Sequence, residues 1–486
     1  MNLFRKTSFL LGLAFAWSFA QDWDLDRPYT LRTLNYLPLL NNLHQQALSG
    51  GQDGIFPRRD SLWRKDLPKN PLFSWKGDGG YLAGSIVGGY EYRASKSLGD
   101  TIKAMDGGLL IRGYKDSVEF WLDARIYNED HSAKNPRSWD REFLEVQDSV
   151  NGDISYTSYA RYRGHISAHL GWTRIDAGRD AVHWGPGYWG NLTFNQQGIP
   201  FPQLSMETTI GPLTVKSLYG DLLVSPSSMD RLNTRDRNLY AHRYEFQATK
   251  NLVIAINEQT IIDSINEPIL FIPIVPQFMQ KGQMSEEYNN GTLSMDFCYR
   301  KPGWFRVYSE FLLDDMASPV SLFKNDNVEA KWAYMGGVHF VRNFGPIESG
   351  FISEYARVEP WVYTHFNQNT AQVAHQGLPL GNPLGPNSQS IDAMVYGRFN
   401  NRLFGSLRTR WWWKGTDYGS QINDETPSSN HFDTPKSFLH DTNGDVVDMN
   451  FTLAPSFSYT YKYVGMQLEL NFFDNPGVYA RLGLQW

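Results

Sequence analysis

Residues 478–486 read VYARLGLQW, and the side-chain pattern of this stretch decides the fold. Apolar residues occupy every second position, at Val478, Ala480, Leu482, Leu484 and Trp486, and the positions between them carry Tyr, Arg, Gly and Gln. Because successive side chains of a β-strand point to opposite faces, this period of two predicts a strand with one apolar and one polar face.

The same alternation recurs at residues 118–127, 293–300 and 305–313, where Glu and Arg repeatedly fall on the second face, as a water-filled lumen permits. A final amphipathic strand that ends in Phe or Trp resembles the signal by which bacterial outer-membrane barrels are recognised for insertion. The sequence therefore predicts an all-β transmembrane barrel of antiparallel strands, exposed to outer-membrane lipid. The alternative is a periplasmic or secreted β-protein with an aromatic core.

The composition is compatible with such a barrel and excludes several other classes. Mean hydropathy is −0.45, yet aromatic residues make up 15% of the chain, as expected where lipid-facing and lumen-facing residues alternate. After the first 20 residues, no stretch approaches the roughly 18 apolar residues of a transmembrane helix. A net charge of −6 gives no sign of nucleic-acid binding, and the single cysteine, Cys298, cannot form an internal disulfide.

The connections between predicted strands alternate in length. Short turns are predicted at Lys115-Asp116, Gly164-His165, Lys250-Asn251, Lys301–Gly303, Asn343–Gly345, Asn400-Asn401 and Tyr461–Tyr463, and long connections at 128–154, 263–289, 358–390 and 414–449. About 17 strands are evident, and a bacterial barrel needs an even number. A further strand at Trp189–Gln196 brings the prediction to about 18 strands.

The first 75 residues differ from the rest. Arg5 and Lys6, an apolar run and Ser18-Phe19-Ala20 predict a secretory signal cleaved before Gln21. Leucines spaced by three and four residues from Leu34 predict a small helical segment, kinked near Pro38. The predicted organisation is a signal peptide at 1–20, an N-terminal periplasmic helical segment at 21–75 and an outer-membrane barrel at 76–486.

The stretch GRDAVHWGPGYWG, residues 178–190, is the strongest candidate site, and the strand count places it at the outer mouth of the barrel or folded inward from it. The aromatic rings of Trp184, Tyr188 and Trp189 are suited to stack on sugar rings. Hydrogen bonds to hydroxyl groups or a uronate are the role predicted for Arg179, Asp180, His183, Asn195, Gln196 and Gln197, and for Asn387 in GNPLGPNSQS. The alternative is that the aromatics form an interfacial girdle around a tight turn, with Arg179 and Asp180 paired for structure.

Three stretches resemble the Wzi-type capsule assembly proteins. The first is DAGRDAVHWGPGYWGNLTFNQQGIPFPQLSM at 176–206, and the others are YRKPGWFRVYSEFLLDD at 299–315 and GNPLGPNSQS at 381–390. The departures are a single Trp184 after His183, where an aromatic pair is common, and Phe194–Gln197 in place of a Leu-Ser-Asn-Asn type of segment. The resemblance implies an 18-stranded outer-membrane barrel, closed by inward-folded loops, that acts as a lectin for capsular polysaccharide.

No catalytic or metal-binding pattern favours an enzyme over the lectin that the resemblance implies. The sequence has no nucleophile elbow, no His-Glu-x-x-His and no cysteine pair, and neighbouring Asp314 and Asp315 would point to opposite faces of a strand. We therefore predict a monomeric, non-enzymatic protein without cofactor or metal. Its predicted partners are capsular or exopolysaccharide and polysaccharide export machinery. An oligosaccharide diffusion porin is the main alternative, and a membrane-embedded hydrolase is a third.

Overall fold

The structure is a computed structural model. It describes residues 47, 71–95, 101–132, 146–151, 154–195, 200–223, 236–263, 267–274, 276–277, 289–316, 330–365, 371–375, 377–399, 402–416, 419–422, 424, 439, 448–474 and 476–485.

The described residues form a closed barrel of 18 antiparallel strands, which confirms the predicted fold and strand number. The ring closes because Gly80–Ser95, the first barrel strand, pairs with Gly477–Gln485, the last. Between them the strands follow in chain order: Thr101–Lys115, Val118–Ser132, Ile154–Leu170, Thr173–Asp180, Phe201–Ile210, Leu213–Leu223, Asp236–Thr249, Leu252–Asp263, Asn289–Lys301, Phe305–Met316, Ala330–Phe344, Ile347–Val358, Ser388–Phe399, Leu403–Lys414, Asp448–Tyr461 and Val464–Phe473.

Four short strands lie outside the ring. Phe73–Gly77 pairs with the start of the first barrel strand, and Val146–Asn151 pairs with the start of Ile154–Leu170. Ala374–His375 and Leu378–Pro379 form a small hairpin of their own. These strands extend the connections and leave the closure of the barrel unchanged.

The two ends of the barrel differ in the length of their connections. At one end two or three residues separate most strands, as at 116–117, 211–212, 250–251, 302–304, 345–346 and 462–463. At the other end run long connections such as 181–200, 264–288, 359–387 and 415–447. In bacterial barrels the end with short turns is periplasmic and the end with long loops is extracellular.

Two predicted details are wrong. Gly164-His165 lies inside the strand Ile154–Leu170, where alternation continues, and the turn falls at Gly171-Trp172, with Gly171 at a φ of 68°. The predicted strand at Trp189–Gln196 is absent, because residues 189–195 are not in a barrel strand, and Gln196 lies outside the described residues. The strand that returns from this loop toward the short-turn end is Phe201–Ile210. Residues 189–195 form a loop, because backbone N–H groups such as those of Trp189 and Thr193 bind wall side chains and do not pair with a neighbouring strand.

The two faces of each strand meet different surroundings. On the last strand, Leu482 and Leu484 are exposed on the outer face, whereas Tyr479 is buried and Arg481 pairs with Glu91 and Asp106 inside the barrel. This confirms the faces predicted from VYARLGLQW, although Trp486 lies outside the described residues. Large apolar side chains are exposed around the ring, including Ile86, Met105, Ile126, Ile166, Met295, Val395 and Phe457.

The predicted signal peptide and Pro38 kink lie outside the described residues. Of the predicted N-terminal segment below residue 71, the structure describes Ala47, which is helical and buried, and its carbonyl accepts a hydrogen bond of 2.7 Å from the Gly303 N–H at a short turn. Among the described residues, no helix is long and apolar enough to cross a membrane.

Candidate functional site

The motif GRDAVHWGPGYWG folds inward and enters the lumen. Trp184 and Phe194 form an isolated antiparallel bridge, so that the chain doubles back between them. At the tip, the Pro186 carbonyl accepts a hydrogen bond from Arg306, the second residue of its strand after a short turn. The tip therefore reaches the lower part of the lumen, and we call residues 181–195 the inner loop.

Sharp backbone geometry lets the inner loop turn at this depth. Gly185 has a φ of 122°, a conformation that L side chains rarely adopt. A Cβ at this position would lie 2.8 Å from the Asn191 side chain and 3.1 Å from Glu310. The Gly-Pro-Gly core is therefore required by the path of the chain through a crowded lumen.

Glu354, near the middle of Ile347–Val358, holds the first half of the inner loop. Its buried carboxylate accepts hydrogen bonds from the backbone N–H groups of Tyr188, Trp189 (2.8 Å) and Gly190 (3.1 Å). The Tyr308 hydroxyl donates a further bond of 2.7 Å to the same carboxylate. One charged side chain thus satisfies three consecutive backbone donors that would otherwise be buried without partners.

Glu310, on the strand Phe305–Met316, holds the second half. It accepts hydrogen bonds from the N–H groups of Leu192 (2.8 Å) and Thr193 (3.0 Å), and one of 2.6 Å from the Thr193 hydroxyl. That hydroxyl also lies 2.6 Å from the Ser294 hydroxyl on the neighbouring strand. The two glutamates fix the inner loop to the wall through five backbone N–H groups.

A second loop, with described residues 359–365, 371–375 and 377–387, folds over the first. The Tyr363 hydroxyl donates to the Leu192 carbonyl at 2.7 Å, and the Asn195 N–H donates to the Leu380 carbonyl at 2.9 Å. The wall holds this loop as well, because Asp314 accepts a bond of 2.6 Å from the Tyr363 N–H. The two loops therefore form one unit, which we call the plug.

Apolar side chains fill the space between the plug and the wall. From the plug, Trp184, Leu192, Phe194 and Tyr363 join a buried cluster. The wall contributes residues from eight consecutive strands between Phe201 and Val358, among them Leu218, Leu239, Ile261, Leu312, Met335 and Val358. This half of the lumen is thus a hydrophobic core, which is unusual for a barrel interior that holds water.

The opposite half of the lumen is lined with charges. Arg125 pairs with Asp123 at 2.7 Å and with Asp106 at 3.4 Å, and Arg174 pairs with Asp176 at 2.5 Å. The side chains of Arg125 and Asp123 are 25% and 28% exposed, so water reaches this wall. The lumen is therefore divided into an apolar, plugged half and a polar half.

Strand alternation separates two of the predicted site residues. Arg179 faces outward, where it donates to the Tyr162 carbonyl at 2.9 Å and lies 5.0 Å from the Tyr162 ring. Asp180 faces the lumen, 3.8 Å from His165. The geometry does not favour the alternative pairing of Arg179 with Asp180, because neighbouring residues of a strand point to opposite faces.

The other described candidates lie within the plug or under it. Trp184, Tyr188 and Trp189 are buried, and the Trp184 ring meets Phe194 edge-on at 5.1 Å. The Asn195 amide donates to the Trp189 carbonyl at 2.6 Å. The Asn387 amide donates to the Ser420 hydroxyl at 2.7 Å and accepts from the Leu439 N–H at 2.8 Å, and Gln196 and Gln197 lie outside the described residues. Sugar contact by these side chains stays a prediction.

The His183 ring lies beneath the surface of the inner loop, 3.2 Å from the Asn191 amide. Burial, together with the nearby charges of Arg306, Arg243 and Lys216, lowers the pKa of His183 to about 3. The ring is therefore neutral at physiological pH, and it can donate one hydrogen bond and accept another.

A dependence of stability on pH follows from this histidine. Below the unfolded-state pKa of 6.5, the unfolded chain binds a proton that the folded chain takes up only near pH 3. The His183 contribution to stability is therefore present above about pH 6.5 and is lost as the pH falls toward 3. Urea titrations at pH 8 and pH 5 should show a smaller loss of stability for His183→Gln than for the unchanged protein. An identical pH dependence in both proteins would contradict this assignment.

The run Trp411-Trp412-Trp413 divides between the two faces as its position on a strand requires. Trp411 is exposed on the outer face and stacks on Phe451 at 4.8 Å, as expected for an anchor at the membrane interface. Trp412, paired with the buried Ser390, faces the lumen and is buried.

The residues that hold the plug were missed by sequence reasoning. Glu310 and Glu354 fall on the lumen face of their predicted strands, so alternation could have identified them as inward-facing carboxylates. Their partners were not predictable, because 165 residues separate Glu354 from Trp189.

The closed ring, the outward apolar belt and the inward-folded loops define a bacterial outer-membrane β-barrel with a plugged lumen. The chain belongs to the Wzi family of capsule assembly proteins, since the sequence model of that family matches residues 80–430. The match includes all three stretches on which the resemblance rested.

One solved structure shows the same fold, and others are similar to this chain. Wzi of Escherichia coli, an outer-membrane protein involved in group 1 capsule assembly and described as a carbohydrate-binding β-barrel, superposes with a TM-score of 0.53 at 13% identity, covering 82% of this chain and 84% of that one. OccAB2 of Acinetobacter baumannii reaches 0.48 at 10% identity, covering 83% and 98%, and OpdO of Pseudomonas aeruginosa 0.46 at 11%, covering 84% and 97%. No curated protein sequence matches the chain.

Proposed function

We propose that the protein binds capsular or other surface polysaccharide and helps to attach or assemble the capsule at the cell surface. Membership of the Wzi family supports this function, as does the description of the Escherichia coli relative as a carbohydrate-binding barrel. The observation that carries the proposal is the plug. A lumen half filled by a hydrophobic core is suited to support a binding surface at the extracellular end rather than to pass solutes.

Within this function, we assign the inner-loop aromatics a shaping role. Trp189 lies beneath the plug surface with 1% of its area exposed, and the Arg408 guanidinium is 5.3 Å from its ring. Trp184 and Phe194 join the lumen core. These rings stabilise the loops that present the extracellular surface, and contact with glycan falls to residues nearer that surface.

Deletion of the gene is the test of the function. We expect the deletion to reduce cell-bound polysaccharide, complementation to restore it, and the purified barrel to bind the polysaccharide shed by the same cells. Unchanged cell-bound polysaccharide together with no binding by the purified barrel would refute the proposal. Released oligosaccharide on incubation with surface glycan would show a hydrolase instead.

Replacement of the tryptophans separates shaping from contact. The double change Trp184→Ala and Trp189→Ala should remove several kcal/mol of stability, on the order of 3–5 kcal/mol for each ring, and should reduce cell-bound polysaccharide with it. The single change Trp189→Phe keeps a buried aromatic ring at this position. It should leave both the stability and the amount of cell-bound polysaccharide near those of the unchanged protein. Loss of glycan binding by Trp189→Phe at unchanged stability would instead identify Trp189 as a sugar contact.

The polar half of the lumen favours a second candidate, an oligosaccharide diffusion channel. The partly exposed charges of Asp123 and Arg125 are of the kind that line aqueous pores. Planar-bilayer recording distinguishes the two functions, because steady conductance that sugars block would support the channel. The monomeric state and contact with export machinery stay predictions.

A further inference from the structure

Two neighbouring strands carry polar side chains on the outer face of the barrel. Leu239 and Ala241 belong to the lumen core, so alternation turns Tyr240 and His242 outward, and Glu258 is paired directly opposite His242. We call Tyr240, His242 and Glu258 the polar strip.

The polar strip lies at the level of the membrane. His242 is eight residues above the turn at Lys250, or about 20 Å at a rise of about 3.3 Å per residue and a tilt near 40°. The apolar band of such barrels is about 25 Å tall. On the next strand, the residue directly opposite Glu258 is Leu293, which is 40% exposed on the lipid-facing side. A polar strip in this place interrupts the apolar belt.

The polar strip is nonetheless closed off from its surroundings. His242 Nδ1 lies 2.9 Å from Glu258 Oε1, and the Tyr244 hydroxyl donates to the same oxygen at 3.1 Å. His242 is fully buried although it faces outward from the wall. Some other part of the chain must therefore cover the outside of these strands.

The cover is formed by residues 267–274 and 276–277 of a long extracellular connection, which we call the cover segment. Leu270 packs against Tyr240 and Ile262, and the Glu267 N–H donates to the Tyr240 hydroxyl at 3.0 Å. At its other end, the Gln277 N–H donates to Glu258 Oε2 at 2.9 Å. The cover segment thus descends along the outer wall and hydrogen-bonds to Tyr240 and Glu258 beneath it.

The outer surface of the cover segment is apolar. Residues 268–276 read PILFIPIVP, without a polar side chain, and Ile269, Ile272 and Ile274 are 54%, 44% and 82% exposed. This surface continues the exposed belt of the wall, where Ile256 and Phe246 lie on the strands below. In water such exposure costs roughly 25 cal/mol for each Å² of apolar surface.

We propose that the cover segment lies in the outer leaflet of the outer membrane, where its isoleucines contact lipid acyl chains. The segment then replaces the wall as the lipid-facing surface over the polar strip, and it keeps the His242–Glu258 pair out of hydrocarbon. The partner is the acyl region of the membrane, identified by the continuity of the isoleucines with the apolar belt. This inference does not depend on polysaccharide binding.

Spin labelling of the full-length protein in bilayers tests the proposal. Cys298 is the only cysteine, so Cys298→Ala provides the background for single cysteines at positions 272 and 274. We expect labels at both positions to be relaxed by oxygen and shielded from nickel ethylenediaminediacetate, as is a label at Met295 on the lipid-facing wall. A label at Gln421, exposed at the extracellular end, is the control for water. Its accessibility to the nickel reagent should exceed its accessibility to oxygen.

Two results would overturn the proposal. If the labels at 272 and 274 had the same ratio of oxygen to nickel accessibility as the label at Gln421, the segment would lie in water. Low accessibility to both reagents would show that protein covers the segment. If a cysteine variant fails to fold, benzoylphenylalanine at position 274 gives an independent measurement in cells. A lipid adduct by mass spectrometry is expected there, as at position 295, and an adduct at 295 alone would count against the proposal.

Discussion

Replacing Glu310 and Glu354 together with glutamine is expected to release the inner loop and to increase ion conductance through the barrel several-fold. The two carboxylates accept hydrogen bonds from five backbone N–H groups of this loop. Glutamine has the same shape, but its amide nitrogen is a donor and would face the loop donors. Buried donors left without an acceptor cost about 1–3 kcal/mol each, so we expect a loss of roughly 3–5 kcal/mol of stability.

Planar-bilayer conductance and urea unfolding in liposomes measure the two effects. Glu469→Gln is the matched control, because Glu469 is also a buried carboxylate on the inner face but accepts a hydrogen bond from the Ser456 hydroxyl of the neighbouring wall strand. This control should leave conductance near that of the unchanged protein. If the double variant had the same conductance and the same stability to urea as the control, the two glutamates would not anchor the plug.

Gly381→Ala is expected to lower the free energy of unfolding by about 3 kcal/mol, at the upper end of the cost of overpacking. A Cβ at Gly381 would lie 1.9 Å from the Leu192 carbonyl oxygen and 2.5 Å from the Tyr363 hydroxyl. Neither group can move away, since the Leu192 N–H is bound to Glu310 and the Leu192 carbonyl to Tyr363. The added methyl group would force the two loops of the plug apart.

The urea midpoint and the amount of folded barrel in the membrane measure this effect. Gly405→Ala is the control, because a Cβ at Gly405 meets its nearest neighbour only at 4.0 Å. The control should stay within about 1 kcal/mol of the unchanged protein. Equal stability of the two variants would show that the loops do not meet at Gly381.

Alternation predicted the faces of the strands because it depends only on neighbouring residues. The last strand has Leu482 and Leu484 outside and Tyr479 and Arg481 inside, as its sequence requires. The strand number also followed, since single-chain bacterial barrels have an even count. The position of one strand was predicted wrongly, because the residues of WGNLTFNQ are compatible with a strand. In the structure, the backbone N–H groups of Trp189 and Thr193 bind carboxylates of the wall instead.

The candidate site shows the same division. The sequence identified residues 178–190 as exceptional, and the turn at Gly185 requires glycine as the pattern indicated. The sequence could not show that Trp189 is buried within the plug, because an aromatic residue in a loop can face either a sugar or the protein core. The run PILFIPIVP went unnoticed for a related reason, since its significance depends on the polar strip that it covers.

By itself, the sequence determined that the protein is a barrel of alternating faces and that one glycine-rich motif is special, because backbone geometry and strand periodicity are local. Only the tertiary structure decided what fills the lumen. That outcome depends on contacts such as Glu354 with Trp189 and Gly381 with Leu192, which join residues far apart in the chain. Buried N–H groups must find acceptors, and which carboxylate lies within reach is fixed only when the ring of strands has closed.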